Sequence, residues 1–129
     1  MATLTTSRPD LDAHRKATSA DFQTVVRELV GILGRKLTAY AADVKDARAL
    51  DRWMQSATPQ KDVERRLRLT YQIAAMLADF DPPPVVQAWF IGLNPELNDA
   101  VPITVLREGD IESDGRKVLG AAKAFIAGG

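Results

Sequence analysis

Few side chains in this sequence can do chemistry. Asp110, Glu112 and Asp114 alternate through the run EGDIESDG. Carboxylates so spaced could gather oxygens about a hard divalent ion, but a solvated acidic loop is the commoner use of such a run. His14 is the only histidine and cysteine is absent. Zinc sites and Cys-His or Ser-His pairs therefore lack their parts. No glycine-rich phosphate loop is present. Acid–base or nucleophilic catalysis needs a tuned group, and none stands out. The chain is read as a non-enzyme with no cofactor and no metal.

What remains is recognition. Lys45, Arg48 and Arg52 recur at helical spacing, so one helix face would present them together. Such cations meet phosphates or guanine edges. Asp43, Asp46 and Asp51 are interleaved with them and would repel phosphate. The balanced total charge is unevenly spread. Residues 35 to 68 carry nine basic and five acidic side chains, whereas residues 69 to 114 carry one basic and eight acidic. A basic block beside an acidic one suggests two surfaces with different partners.

The elements that must position these groups read as helices throughout. Residues 1 to 17 are polar, carry Pro9 and show no period, so they are expected as a loose tail. Phe22, Val25, Val26, Leu29, Ile32 and Leu33 form an apolar helical stripe, with Thr18 or Ser19 to cap it and Gly34 to end it. Leu37 to Met54 suits two short helices broken near Val44–Ala47, the length and pattern of a helix-turn-helix whose second helix is anchored by Leu50 and Trp53. Thr58 and Pro59 open a helix that runs to about Phe80, where Asp81-Pro82-Pro83-Pro84 stops it. The prolines can open PVVQAWFIGL. Asn94-Pro95-Glu96-Leu97 reads as a capped turn and Pro102 begins another. A last amphipathic helix carries Val118, Leu119, Ala122, Phe125 and Ile126. The fold class is all-α. Residues 18–57 form the helix-turn-helix region and 58–129 a small helical domain. No apolar run approaches the ~20 residues that span a bilayer, and the start lacks the apolar middle of a signal peptide. The protein is expected to be cytoplasmic.

Trp89, Phe90, Asn94, Leu97, Pro102, Leu106 and Gly109, followed by Val118 and Ala121-Ala122, hold a spaced pattern behind the arginine-rich stretch ERRLRLTYQIAAMLADF. The half from Glu64 to Ala127 thereby resembles the toxin-binding domain of Xre/MbcA/ParS-type antitoxins. The upstream helix-turn-helix ending in Trp53, a degenerate one without the usual small residue in its turn, is similar to the family's N-terminal half. Two departures are visible. Asp99-Ala100-Val101 stands where the family often has a glycine before the proline, and the loop between Gly109 and Val118 is longer and more acidic.

The resemblance implies an antitoxin of a type II toxin–antitoxin pair. Its partner would be a RES-domain toxin that degrades NAD, silenced by occlusion of its active site. Homodimers or hetero-oligomers with the toxin, and binding of operator DNA through Lys45, Arg48 and Arg52, are further implications. The alternative is a DNA-binding transcriptional regulator without a toxin partner. The implied toxin-binding residues are Trp89, Phe90, Leu93, Asn94, Leu97, Pro102, Leu106, Gly109, Lys123 and Phe125. Within this set Trp89, Leu97 and Leu106 are expected to be core. Phe90 and Leu93 are expected at the surface, because a helix cannot bury every side. Phe125 to Gly129 is the expected plug for the toxin's pocket.

Overall fold

The computed structural model of the chain describes residues 8 to 128, and all of its regular elements are helical. They are α1 (Pro9–Ser19), α2 (Phe22–Leu33), α3 (Arg35–Ala42), α4 (Arg48–Gln55), α5 (Lys61–Ala78), α6 (Pro83–Ile91), a 3-10 turn (Pro95–Leu97), α7 (Pro102–Glu108) and α8 (Ser113–Ile126). No helix among the described residues is long and apolar enough to cross a membrane.

The 18-residue α5 is the axis of the fold. It packs against α1, α2, α3, α6, α7 and α8. Its buried residues Leu67, Thr70, Tyr71, Ile73, Ala74, Met76 and Leu77 cover more than one side, as a helix surrounded by neighbours requires. α2 lies against α5 through Phe22, Val25, Val26, Leu29 and Leu33, the stripe expected from the sequence. One cluster of buried side chains runs from Ala13 to Ala122 and draws on both the 18–57 and the 58–129 segments. The two segments therefore share a core.

Gly34 ends α2 and begins α3 with φ +86°, a conformation that favours glycine. The break between α3 and α4 falls over residues 43–47, where no glycine or proline marks it. Asp43 makes the turn in the left-handed region at φ +60°, which aspartate tolerates better than most residues. Asp46 then accepts from the Arg48 backbone N–H at 2.9 Å and caps the start of α4. These two aspartates, read as misplaced for a DNA-facing surface, are what shape its backbone.

Three expectations need correction. Residues 9–17 are not a loose tail. They lie in α1, which seats Ala13 and Ala17 on α5; residues 1–7 fall outside the described part. α5 starts at Lys61 with Gln60 as its cap, later than Thr58-Pro59 suggested. The acidic run is only partly a loop: residues 109–112 turn the chain, while Ser113 to Gly115 begin α8, where Asp110 accepts from the N–H and hydroxyl of Ser113 and Asp114 accepts from the N–H of Asp110. These bonds cap α8 one turn earlier than the pattern implied.

Candidate functional site

The segment from Trp89 to Gly109 folds as short pieces over one patch. Asn94 holds the first corner. Its side-chain oxygen accepts from the Glu96 N–H at 2.9 Å, its N–H donates to the Ala100 carbonyl at 3.0 Å, and its own carbonyl accepts from Leu97 and Asp99. Asn98 and Asp99 both take positive φ, +54° and +64°, so the chain reverses without a glycine. The expected capped turn is thus present, and Pro102 opens α7 as expected.

α6 is set by Val86 and Phe90, one turn apart and both buried towards the shared core. Phe90 is fully buried, which overturns its assignment to the surface. The neighbouring position necessarily swings by about 100°. Trp89 is therefore only partly buried, packed against the edge of the core, and stands edge-on to the Phe90 ring with centroids 5.1 Å apart. Leu93, one further turn along, is 74% exposed, as expected of it.

Trp89, Leu93 and Asn94 form one wall of a groove of about 250 Å³, and Phe125 with Ala121 and Ala124 of α8 forms the other. Ala88, Gly92, Pro95 and Glu96 complete it. The small residues on α8 leave the space and the rings of Trp89 and Phe125 bound it. Glu96 is the one charged group of the lining. The site can hold an apolar side chain. Among the described residues no cluster of metal-ligating side chains occurs.

The other motif residues frame this groove from behind. Leu97 packs partly buried against the core, and Pro102 and Leu106 are buried. Gly109 sits where α7 turns into α8. A Cβ there would come within 2.6 Å of both the Val105 carbonyl and the Asp114 carboxylate. Lys123 lies outside the groove, on an adjoining recess with Phe80 and Ile126. Phe125 belongs to α8 and walls the groove, so the expected plug is not a free end; Gly129 lies outside the described residues. No family model, curated protein or solved structure matches the chain.

Pro95 and Glu96 belong to the lining, and the sequence reading missed them because it treated them only as helix-start signals. Gly115 was also missed. A Cβ on it would collide with the Leu69 side chain, so its absence lets α8 approach α5. Ile91 and Phe80, at 54% and 55% exposed, are further apolar groups open to water.

Lys45, Arg48 and Arg52 do share one shallow depression, with Val44, Asp46 and Ala49. Arg48 is engaged there by Asp46, at 2.7 Å from Nε, which holds the Asp46 carboxyl below the usual carboxylate range. Lys45 and Arg52 form no ion pair among the described residues. Several other cations of the basic block are engaged by neighbouring groups. Arg35 pairs with Asp51 at 2.7 Å, Arg65 with Glu112 at 2.7 Å, and Arg66 donates to the Ala41 carbonyl. The positive charge read from the sequence is therefore partly offset by exposed acidic partners.

Proposed function

We propose that the chain is an antitoxin that binds and neutralises a RES-domain, NAD-degrading toxin by occluding its active site. The observation that carries this reading is the groove, where Trp89, Leu93 and Asn94 of the motif meet Phe125 of the last helix. Exposed apolar groups gathered on a rigid frame suit a binding surface, and aromatic residues are the frequent anchors of such surfaces. The catalysis belongs to the partner. The protein acts as a cover, in a hetero-oligomer with the toxin.

The test is co-expression with a RES-domain toxin encoded beside it. The chain rescues growth and co-purifies with the toxin. Leu93→Asp and Phe125→Asp change side chains already open to water, so the fold is retained while binding weakens by ~30-fold or more, the size of a hot-spot loss. A toxin that stays active and unbound beside the wild-type chain, or that binds both variants as well, sinks the idea.

A second reading, operator binding as autoregulation or as the sole role, is favoured by the unpaired Lys45 and Arg52 beside Arg48. It expects sequence-specific retention of the chain's own promoter, lost in Arg48→Ala/Arg52→Ala. Retention that is merely salt-sensitive and blind to sequence counts against it.

A further inference from the structure

α1 is held by a single neighbour. Of the elements it contacts extensively there is only α5. It buries just two side chains, Ala13 and Ala17, while its one large apolar residue, Leu11, is 47% exposed. Recesses flank it on both sides, one of about 360 Å³ by His14, Leu69 and Ile111 and one of about 270 Å³ by Pro9, Phe80 and Ile126.

The corner that folds α1 back is short and unusual in composition. Only Ala20 and Asp21 separate α1 from α2, and both are extended, at φ −69°, ψ 146° and φ −65°, ψ 150°. Neither glycine nor proline lies between Asp10 and Val30. Thr18, Ser19 and Asp21 favour a break here as capping residues, but no glycine or proline forces one, and Ala17 and Ala20 favour a continuous helix. What holds the corner is Arg68 of α5. Its guanidinium donates to the Ala17 carbonyl at 3.0 Å and the Ala20 carbonyl at 2.7 Å, supplying partners for the end of α1. If α1 and α2 fused, those carbonyls would instead accept from the N–H groups of Asp21 and Thr24 within the helix. The Asp21 N–H makes no backbone hydrogen bond in the folded-back form.

We propose that the α5 face beneath α1 is an exchange site between two copies of this chain, in which α1 fuses to α2 and seats on α5 of the second copy. The occupant is fixed by the structure: the surface already fits α1, and a second copy supplies an identical α1 with the same contacts. The closed and exchanged forms bury the same α1–α5 surface. They differ in the corner, which loses two bonds from Arg68 and gains continuous helix. A short connection of this kind is where exchange is expected. The inference is independent of the antitoxin reading.

Light scattering after size exclusion, on full-length protein over rising concentration, tests it. The wild-type chain gives monomer and a dimer whose share grows with concentration. Asp21→Pro locks the corner, since proline fits φ −65° there and favours an extended residue before it. Inside a fused helix the same proline is disruptive, so the association constant falls by about 100-fold or more. Arg68→Met removes the two corner bonds that only the monomer uses, together with the Glu64 pair within α5 that both forms keep, and raises the dimer share roughly ten-fold. The proposal is overturned if wild type remains monomeric at about millimolar concentration after incubation just below its melting temperature. It is equally overturned if Asp21→Pro dimerises as readily as wild type, or if Arg68→Met leaves the dimer share unchanged.

Discussion

Gly109 illustrates what a single position decides. Its φ of −86° is open to any residue, so backbone freedom is not the reason for glycine. The reason is space, because the Val105 carbonyl and the Asp114 side chain lie where a Cβ would go. Asp114 cannot simply swing aside, since it accepts from the Asp110 N–H at 2.8 Å and helps to cap α8. Gly109→Ala is expected to lower stability by about 1–3 kcal/mol, the usual range for overpacking. Denaturant unfolding measures it, and an unchanged midpoint would refute the close approach. Phe90 and Trp89 make the same point about adjacent residues. They are similar in apolar character, yet one lies in the core and the other walls the groove, because a helix turns by about 100° per residue.

At the scale of elements, helix ends are held by side chains from distant helices. Arg68 takes the end of α1, Gln87 donates to the Ile32 carbonyl of α2 at 2.8 Å, and Arg27 donates to the Met54 carbonyl of α4 at 2.6 Å. Arg107 of α7 does this for α3. It donates to the Tyr40 carbonyl at 3.2 Å, pairs with Asp43 at 2.7 Å, and stacks its guanidinium 4.3 Å from the centre of the Tyr40 ring. Terminal carbonyls lack partners within their own helix, and a cation also complements the negative end of the helix dipole. Short helices such as α3 and α7 are marginal alone, so these cross-links matter more here than in long bundles. Arg107→Met keeps much of the side-chain length and loses the charged bonds. It is expected to cost about 1–3 kcal/mol, read as a lower melting temperature, with little change if the Asp43 pair is merely a surface contact.

For the whole molecule, the shared core predicts one cooperative unfolding transition. Trp53 lies in α4 and Trp89 in α6, so Trp53→Phe and Trp89→Phe each leave a fluorescent reporter in a different segment. Their denaturation curves, corrected for the stability of each variant, should coincide with circular dichroism; separated transitions would mean that the two segments fold apart. The sequence by itself determined the all-α class, the stripe of α2, the break near residues 43–47, the proline stop after Phe80 and the Asn94 and Pro102 turn starts. Those features follow from local causes: helical periodicity, capping side chains and the fixed φ of proline. The family resemblance also pointed to Trp89, Leu93, Asn94 and Phe125, which line the groove, although Trp89 was expected in the core. It did not determine α1, because a polar helix that buries only alanines has no apolar stripe to be read. Only the tertiary structure decided that Phe90 is fully buried while Trp89 packs only partly against the core, that Arg66 and Arg68 bond carbonyls of neighbouring elements, and that Asp43 and Asp46 shape a turn. Each of these depends on which helix lies opposite. A single helix specifies which residues share a face, and the neighbour packed against it decides whether that face becomes core, cap or binding surface.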